Sequence, residues 1–380
     1  MKDIILFGST GSVGKNVLDV ISHYPGMFRV RALSTGRNID VLLDQAERFS
    51  PRVIACADEN LVPELRRRAP KGTAVTGGGR SIEELAAQED ADIVFMAISG
   101  ISALMPLVSA VKNGRTVALA SKEPIVSAGG IISELVKENS ARIIPVDSEH
   151  SAISQCIGAR KPCEVRTIYL TGSGGTLLNA PLEDFDSFSV KEVLNHPKWS
   201  MGPKISVDSA TLMNKGLEMI EARWLFDIPS EKIKVIVHPE AIVHSMVEFN
   251  DGTVTAVMFC PDMRFPILKA LAYPEILESC FERIDFGAIG KFTFLEPDTE
   301  KFPALPLAYE ALKSGGTAPA VLNSSNENAV NLFLEGKIVF TDITKITKEV
   351  LNKHKVKEAP VLEDIIASEE WAKREVLKFC

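Results

Sequence analysis

Three clusters carry side chains that do chemistry when gathered: Pro145-Val-Asp-Ser-Glu-His150, His196-Pro-Lys-Trp-Ser-Met-Gly202 and Ser209-Ala-Thr-Leu-Met-Asn-Lys-Gly-Leu-Glu218. They offer carboxylates, a lysine and an indole downstream of a glycine loop at Gly8. That combination points to a metal-assisted enzyme that uses a nicotinamide. In the first cluster a β period of two places Asp147 and Glu149 on one face, with Ser148 and His150 on the other. Two carboxylates so close do not both stay ionised cheaply unless a cation lies between them. Oxygen ligands of this kind suit Mg²⁺ or Mn²⁺ better than zinc. The same residues also fit a helix start, with Asp147 or Ser148 capping a helix over 151–157. Spacing leaves both readings open.

Further on, the pattern predicts a helix over 215–226 with an apolar stripe of Leu217, Ile220, Trp224 and Leu225, and Glu218 and Glu221 fall inside that arc. A carboxylate on a buried stripe needs a partner, either a metal or an arginine. Periodicity does not choose between the two glutamates. Thr171-Gly-Ser-Gly-Gly175 ends a strand over 165–170 and makes an anion cradle of hydroxyl and N–H groups. Ser209, Asn214 and Lys215 supply a hydroxyl, an amide and a cation where a helix begins, and both sets suit a phosphate monoester. The 196–202 cluster reads as a loop whose Trp199 covers a ligand and excludes water. No nucleophile elbow accompanies these residues, which disfavours acyl chemistry.

Gly8-Ser-Thr-Gly11-Ser-Val-Gly14 follows an apolar strand and opens a helix, so its bare backbone can approach a pyrophosphate at the helix N-terminus. At the tip of the second strand, where an acidic residue would hold the ribose of NADH, the chain reads Leu33-Ser-Thr-Gly-Arg-Asn38. Arg37 is placed to meet a 2′-phosphate, which favours NADPH.

These groups need elements to position them. Residues 1–147 alternate short β-branched runs, at 4–7, 29–33, 53–55, 93–97, 116–119 and 143–146, with amphipathic stretches such as 13–22 and 104–112. This predicts an α/β fold with an N-terminal doubly wound Rossmann-type domain. Residues 148–272 turn to longer loops and a hairpin of 242–249 and 253–260 about Asn250-Asp251-Gly252, which predicts a second, α+β domain. Residues 273–303, rich in proline, read as a linker. Helical patterns at 305–313, 318–334, 343–352 and 362–378 predict a C-terminal all-helical domain over 304–380.

Composition excludes several classes. The chain has 380 residues, too many for one core, since single cores stop growing at about 250–300. Lys+Arg number 42 against 50 Asp+Glu, a net charge of −8 without a basic run, which disfavours nucleic acid. Six cysteines without paired or metal-ligand spacing suit a reducing, cytoplasmic setting. Residues 93–111 carry no charge, but Gly100, Pro106 and serines interrupt them, so they read as a buried strand and helix and not as a membrane span.

Through Gly8-Ser-Thr-Gly-Ser-Val-Gly14, Leu119-Ala-Ser-Lys-Glu123, Pro145 to Ala152, Thr171 to Gly175, His196 to Glu218 and His238-Pro-Glu-Ala-Ile-Val-His-Ser245, the chain resembles the 1-deoxy-D-xylulose 5-phosphate reductoisomerase family over nearly its whole length. The resemblance implies that Asp147, Glu149 and Glu218 hold one divalent cation, Mg²⁺, Mn²⁺ or Co²⁺. It implies that Lys122, Ser148 and Glu149 touch the oxygenated backbone of a sugar phosphate, and that Ser173, His196, Ser209, Asn214 and Lys215 bind its phosphate or nearby hydroxyls. Lys122, His196 and the three carboxylates become the catalytic set. Thr10, Gly11, Ser12, Val13, Gly36, Arg37, Asn38, Ser121, Glu123 and Gly202 become NADPH contacts, with Trp199 and Met201 in a closing loop. The family's reaction turns 1-deoxy-D-xylulose 5-phosphate into 2-C-methyl-D-erythritol 4-phosphate, and a homodimer is implied. This sequence departs at Ser121, where members commonly carry asparagine, and at Arg37, where lysine is common. Both keep a hydrogen-bond donor.

Overall fold

The structure, a computed structural model, describes residues 1–87, 91–196, 198–199 and 201–379. Pro197 and Ser200 of the expected lid, and Cys380, lie outside the described residues. The chain forms two compact units, 1–124 with 132–151 and 263–282, and 125–131 with 152–262 and 283–380.

The first unit is built on β1 (Lys2–Phe7), α1 (Ser12–His23), β2 (Phe28–Thr35), α2 (Ile39–Phe49), β3 (Val53–Cys56), α3 (Val62–Arg68), β4 (Ala74–Gly77), α4 (Gly79–Ala86), β5 (Ile93–Met96), α5 (Leu104–Lys112), β6 (Thr116–Leu119), the two ends of α6 (Glu123–Glu138) and β7 (Arg142–Pro145). The strands form a seven-stranded sheet in the order β4-β3-β2-β1-β5-β6-β7, and every pairing is parallel. The expected α/β doubly wound architecture is therefore present. In β1, Ile4, Ile5, Leu6 and Phe7 are all at most 1 % exposed, as a strand covered on both faces requires. The strand order reverses beside β1, at the crevice where such sheets bind ligands. The weakly apolar β4 was not among the strands expected from the sequence, and it extends the edge beyond β3.

At the other edge the sequence pattern misleads. β7 stops at Pro145 and α7 (Ser148–Ile157) starts three residues later. Glu149 thus sits in the first turn of a helix rather than on a strand face with Asp147, so of the two readings the helix start describes the backbone.

In the second unit β8 (Val165–Gly172), α8 (Val190–Val193), α9 (Pro203–Ala210), α10 (Met213–Phe226), β9 (Ile233–Val237), β10 (Val243–Phe249) and β11 (Val254–Met258) follow in order. The sheet runs β11-β10-β8-β9, with the β10/β11 hairpin antiparallel and β8/β9 parallel. The chain next contributes α11 (Arg264–Ala272) to the first unit, where Ile267, Leu268 and Leu271 join the core of β1, α1 and β2. Of the expected linker, residues up to 282 belong to that unit. Later, α12 (Phe286–Ile289) precedes a bridge in which Leu295 exchanges backbone hydrogen bonds with Val237. The helices α13 (Ala304–Ser314), α14 (Ala318–Leu334), α15 (Asp342–Lys353) and α16 (Leu362–Val376) follow closely where the apolar periodicity puts them. They share one continuous core with the second sheet: Ile168, Leu170 and Val247 belong to the same cluster as Val321, Phe333, Val350 and Val376. No helix among the described residues is long and apolar enough to cross a membrane.

Candidate active site

In the first unit the glycine loop joins β1 to α1. Gly8 has φ +76°, and a Cβ added at Gly14 would stand 2.3 Å from the Gly8 carbonyl oxygen. Glycine there lets α1 pack hard on the strand end and aim its first turn outward. No side chain caps that turn at Gly11, so the amides of Ser12 and Val13 head a helix start suited to an anion. Thr10 Oγ1 lies 2.7 Å from Thr35 Oγ1, which ties the loop to the end of β2. Gly36 and Arg37 follow, and Asn38 caps α2 by accepting from the Val41 N–H at 3.2 Å. Arg37 is 83 % exposed and pairs with Asp58 at 3.1 Å. It projects from the strand tip into solvent with its charge balanced by a carboxylate.

Between β6 and α6, Ser121 donates to the Ile98 carbonyl, and Lys122 and Glu123 are each 8 % exposed. Lys122 Nζ stands 2.6 Å from Asp147 Oδ2. Ser148 Oγ donates to Glu149 Oε2, and Asp147 and Glu149 bring carboxylate oxygens within 4.8 Å of each other. His150, fully buried, has its Nδ1 3.9 Å from Asp147 Oδ2.

The second unit holds the remaining candidates. β8 ends at Gly172, and the loop after it turns back sharply: Gly175 has φ +72°, and a Cβ there would lie 2.4 Å from the Ser209 carbonyl oxygen. This close approach brings the 173–175 loop against the end of α9. Ser173 Oγ lies 2.9 Å from His196 Nε2. His196 Nδ1 accepts from the Trp199 N–H at 2.9 Å and from the Lys198 N–H at 3.2 Å. A nitrogen that accepts twice carries no proton, so Nε2–H is the donor to Ser173. Burial holds the imidazole below its usual value, and the Lys215 ammonium lowers it further. Ser173 Oγ also accepts from the Gly175 N–H at 3.3 Å. Its own proton is then directed outward, as an anion cradle needs.

Trp199 is half-buried and meets His244 edge-on, with ring centroids 6.0 Å apart. His244 in turn stacks on Phe259 at 3.6 Å. Met201 is partly buried, and Gly202 caps α9 ahead of Pro203.

The helix expected over 215–226 is α10, and a second helix, α9, which the pattern did not predict, ends just before it. Ser209 lies in the last turn of α9, Leu212 breaks the backbone with φ +59°, and Asn214 and Lys215 open α10. Glu218, 1 % exposed, is gripped at both oxygens: Asn214 Nδ2 donates to Oε1 and Lys215 Nζ to Oε2, each at 2.5 Å. Glu221 is also 1 % exposed, so burial alone does not separate the two glutamates.

One group escaped the sequence reading. Asp208, 1 % exposed beside Ser209, receives Lys204 Nζ at 2.8 Å and Asn326 Nδ2 at 2.7 Å. The Lys204/Asp208 spacing was a visible signal; the partner on α14, 118 positions away, was not.

Residues 4–129 match the family model described as 1-deoxy-D-xylulose 5-phosphate reductoisomerase. Residues 143–226 match that of its C-terminal domain, and 258–375 a DXP reductoisomerase C-terminal domain. The chain is 45 % identical over 375 residues to the 1-deoxy-D-xylulose 5-phosphate reductoisomerase of Thermodesulfovibrio yellowstonii, covering 98 % of each. It is 43 % identical to that of Pelodictyon phaeoclathratiforme, with 100 % of both covered. Among solved structures it is similar to the reductoisomerase from Zymomonas mobilis in complex with NADPH, at TM-score 0.93 and 40 % identity over 100 % of this chain and 99 % of that one. It is also similar to a DOX-P reductoisomerase in complex with NADPH, fosmidomycin and magnesium, at TM-score 0.94 and 36 % identity over 100 % and 98 %.

Proposed function

Because the chain belongs to the 1-deoxy-D-xylulose 5-phosphate reductoisomerase family, we propose that the residues described above carry that family's reaction. The protein is an NADPH-dependent oxidoreductase that converts 1-deoxy-D-xylulose 5-phosphate to 2-C-methyl-D-erythritol 4-phosphate with a divalent cation. Asp147, Glu149 and Glu218 would hold the cation. The observation that carries this assignment is the approach of the Asp147 and Glu149 carboxylate oxygens to within 4.8 Å, which a cation relieves. The donor set is all oxygen, and it fits Mg²⁺, Mn²⁺ or Co²⁺. When bound, the ion supplies Lewis acidity to the ketone and hydroxyl oxygens of the sugar, and NADPH supplies the hydride.

The chain's own residues bind, orient and shield. Ser173, Ser209, Asn214 and Lys215 take the phosphate, with His196 as a neutral imidazole that fixes the Ser173 hydroxyl. Lys122 and Ser148 face the oxygenated carbons, where the ammonium stabilises negative charge as it develops. Thr10, Gly11, Ser12, Val13, Gly36, Arg37, Asn38, Ser121, Glu123 and Gly202 hold NADPH, with Arg37 on its 2′-phosphate. Trp199 and Met201 close over the sugar and keep water out.

The enzyme works as a homodimer in this reading. β11 is an edge strand, and its Val254 and Met258 are 55 % and 38 % exposed, an apolar edge that a second copy would cover. It acts on a small molecule in the cytoplasm, without nucleic acid or membrane, in keeping with its net charge of −8 and its free cysteines. The test is an assay at 340 nm with 1-deoxy-D-xylulose 5-phosphate and NADPH. Oxidation should cease with EDTA and return with Mg²⁺ or Mn²⁺; turnover that persists in EDTA would remove the metal from the reading.

A further inference from the structure

The second unit contains a cavity of about 330 Å³ that the reaction does not use. Its floor is aromatic: the Phe185 ring lies 5.8 Å from Phe302 and 5.6 Å from Phe340. Its rim is basic. Lys301, Lys345 and Lys348 line it with Glu300, and Asp342 pairs with Lys345 at 3.2 Å, so three lysines face two acids on a chain whose net charge is −8. The lysines differ in what holds them. Lys301 donates to the Leu178 carbonyl at 2.7 Å and lies over the Phe185 and Phe302 rings. Lys345 and Lys348 stand on exposed positions of α15, three residues apart and so on one face, and Lys345 Nζ reaches Thr341 Oγ1 at 2.8 Å and Asp342 Oδ1 at 3.2 Å.

The volume admits about ten non-hydrogen atoms at roughly 30 Å³ each. An apolar floor under a cationic rim selects an amphiphile with a negative head, which Lys348 and Lys345 meet from one face of α15 as the head takes the place of Asp342 on Lys345. Thr211 also lines the cavity. It bridges the break between α9 and α10: its Oγ1 donates to the Asp208 carbonyl and accepts from the Met213 N–H, both at 3.2 Å. We propose that this cavity is a second ligand site, for a small alkyl phosphate, and that its occupancy is felt at the 208–215 turn. Its bearing on catalysis rests on the reading of Ser209, Asn214 and Lys215 as phosphate-binding residues.

The test is calorimetric titration of the full-length protein with decyl phosphate below its micellar concentration, with decanol and inorganic phosphate as half-ligands. Saturable binding is expected, weaker by about tenfold or more for either half-ligand and for K345E/K348E, since the head contacts are charge-assisted. Thr344→Trp, which fills the cavity from its rim, should abolish binding while leaving turnover in place. Hydrogen exchange over 208–215 should slow with decyl phosphate in the wild type and not in Thr344→Trp. Absence of saturable binding, equal binding of decanol, or undiminished binding in both variants would overturn the site; unaltered exchange at saturation would overturn the coupling. Failure of the catalytic reading is separable, because it would appear as an unchanged substrate KM in Asn214→Ala while decyl phosphate still bound.

Discussion

At the scale of single residues, two of the three candidate metal-binding carboxylates already carry a lysine partner. Lys122 sits on Asp147 and Lys215 on Glu218. Asp147→Asn keeps the shape and removes the charge. It should lower kcat by at least about 100-fold, the upper range for losing even an outer partner of a metal ligand, and leave NADPH binding measured by fluorescence nearly intact. Arg37→Glu should raise the KM for NADPH far more than that for NADH, as steady-state kinetics with both cofactors would reveal. His244 carries a pH signature. Burial, with Lys215 and His238 nearby, pushes its imidazole down to about 4 despite the hydrogen bond to the Phe259 carbonyl. The unfolded chain takes up this proton near the ordinary value of 6.5, so the stability His244 confers is complete above that value and drains away as the pH falls toward 4. Urea unfolding of His244→Gln should show a flatter slope in that window than the wild type. The residue types were legible because few other roles explain so many carboxylates, amides and lysines together. The choice between Glu218 and Glu221 was not, because positions three apart on a helix share a face and both are buried.

At the scale of elements, the apolar periodicities of α1, α5 and α13 to α16 predicted helices within two residues of those observed. The misses have local causes. β4 reads Ala-Val-Thr-Gly and is only partly buried, so it lacks the apolar run that marks its neighbours. At Pro145 to Ser148 the chain switches from a two-residue to a 3.6-residue repeat within one turn, too quickly for a pattern to register. α9, ahead of the break at Leu212, was invisible because its buried face carries Ser206 and Asp208 beside Val207 and Ala210 and so makes no apolar stripe. What anchors that break is the Asp208–Asn326 bond between α9 and α14. Asn326→Leu strips a partner from a buried carboxylate. It should cost about 1–3 kcal/mol in chemical denaturation and raise the substrate KM through the displaced Ser209; unaltered values for both would deny Asp208 a positioning role.

For the whole molecule, the expectation of helices after residue 304 was met, and their core is continuous with the second sheet. A chain ended at residue 303 should therefore lose near-UV circular dichroism and solubility, because Ile168, Leu170 and Val247 would lose the helices that cover them. A fragment that stays soluble with a cooperative thermal transition would show that the sheet has a core of its own. The shared core was hidden from the sequence, since periodicity reveals which face of a helix is buried but not against what.

The return of α11 to the first unit has its own consequence during synthesis. Lys2 Nζ donates to the Ala272 and Tyr273 carbonyls at 2.6 and 2.5 Å, so the second residue made waits for partners some 270 positions later. At roughly 5–20 residues per second, the ribosome leaves this half-built sheet exposed for tens of seconds. A nascent chain stalled before residue 263 should be bound by chaperones and cut by protease within β1 and α1, and one stalled well past residue 282 should resist both.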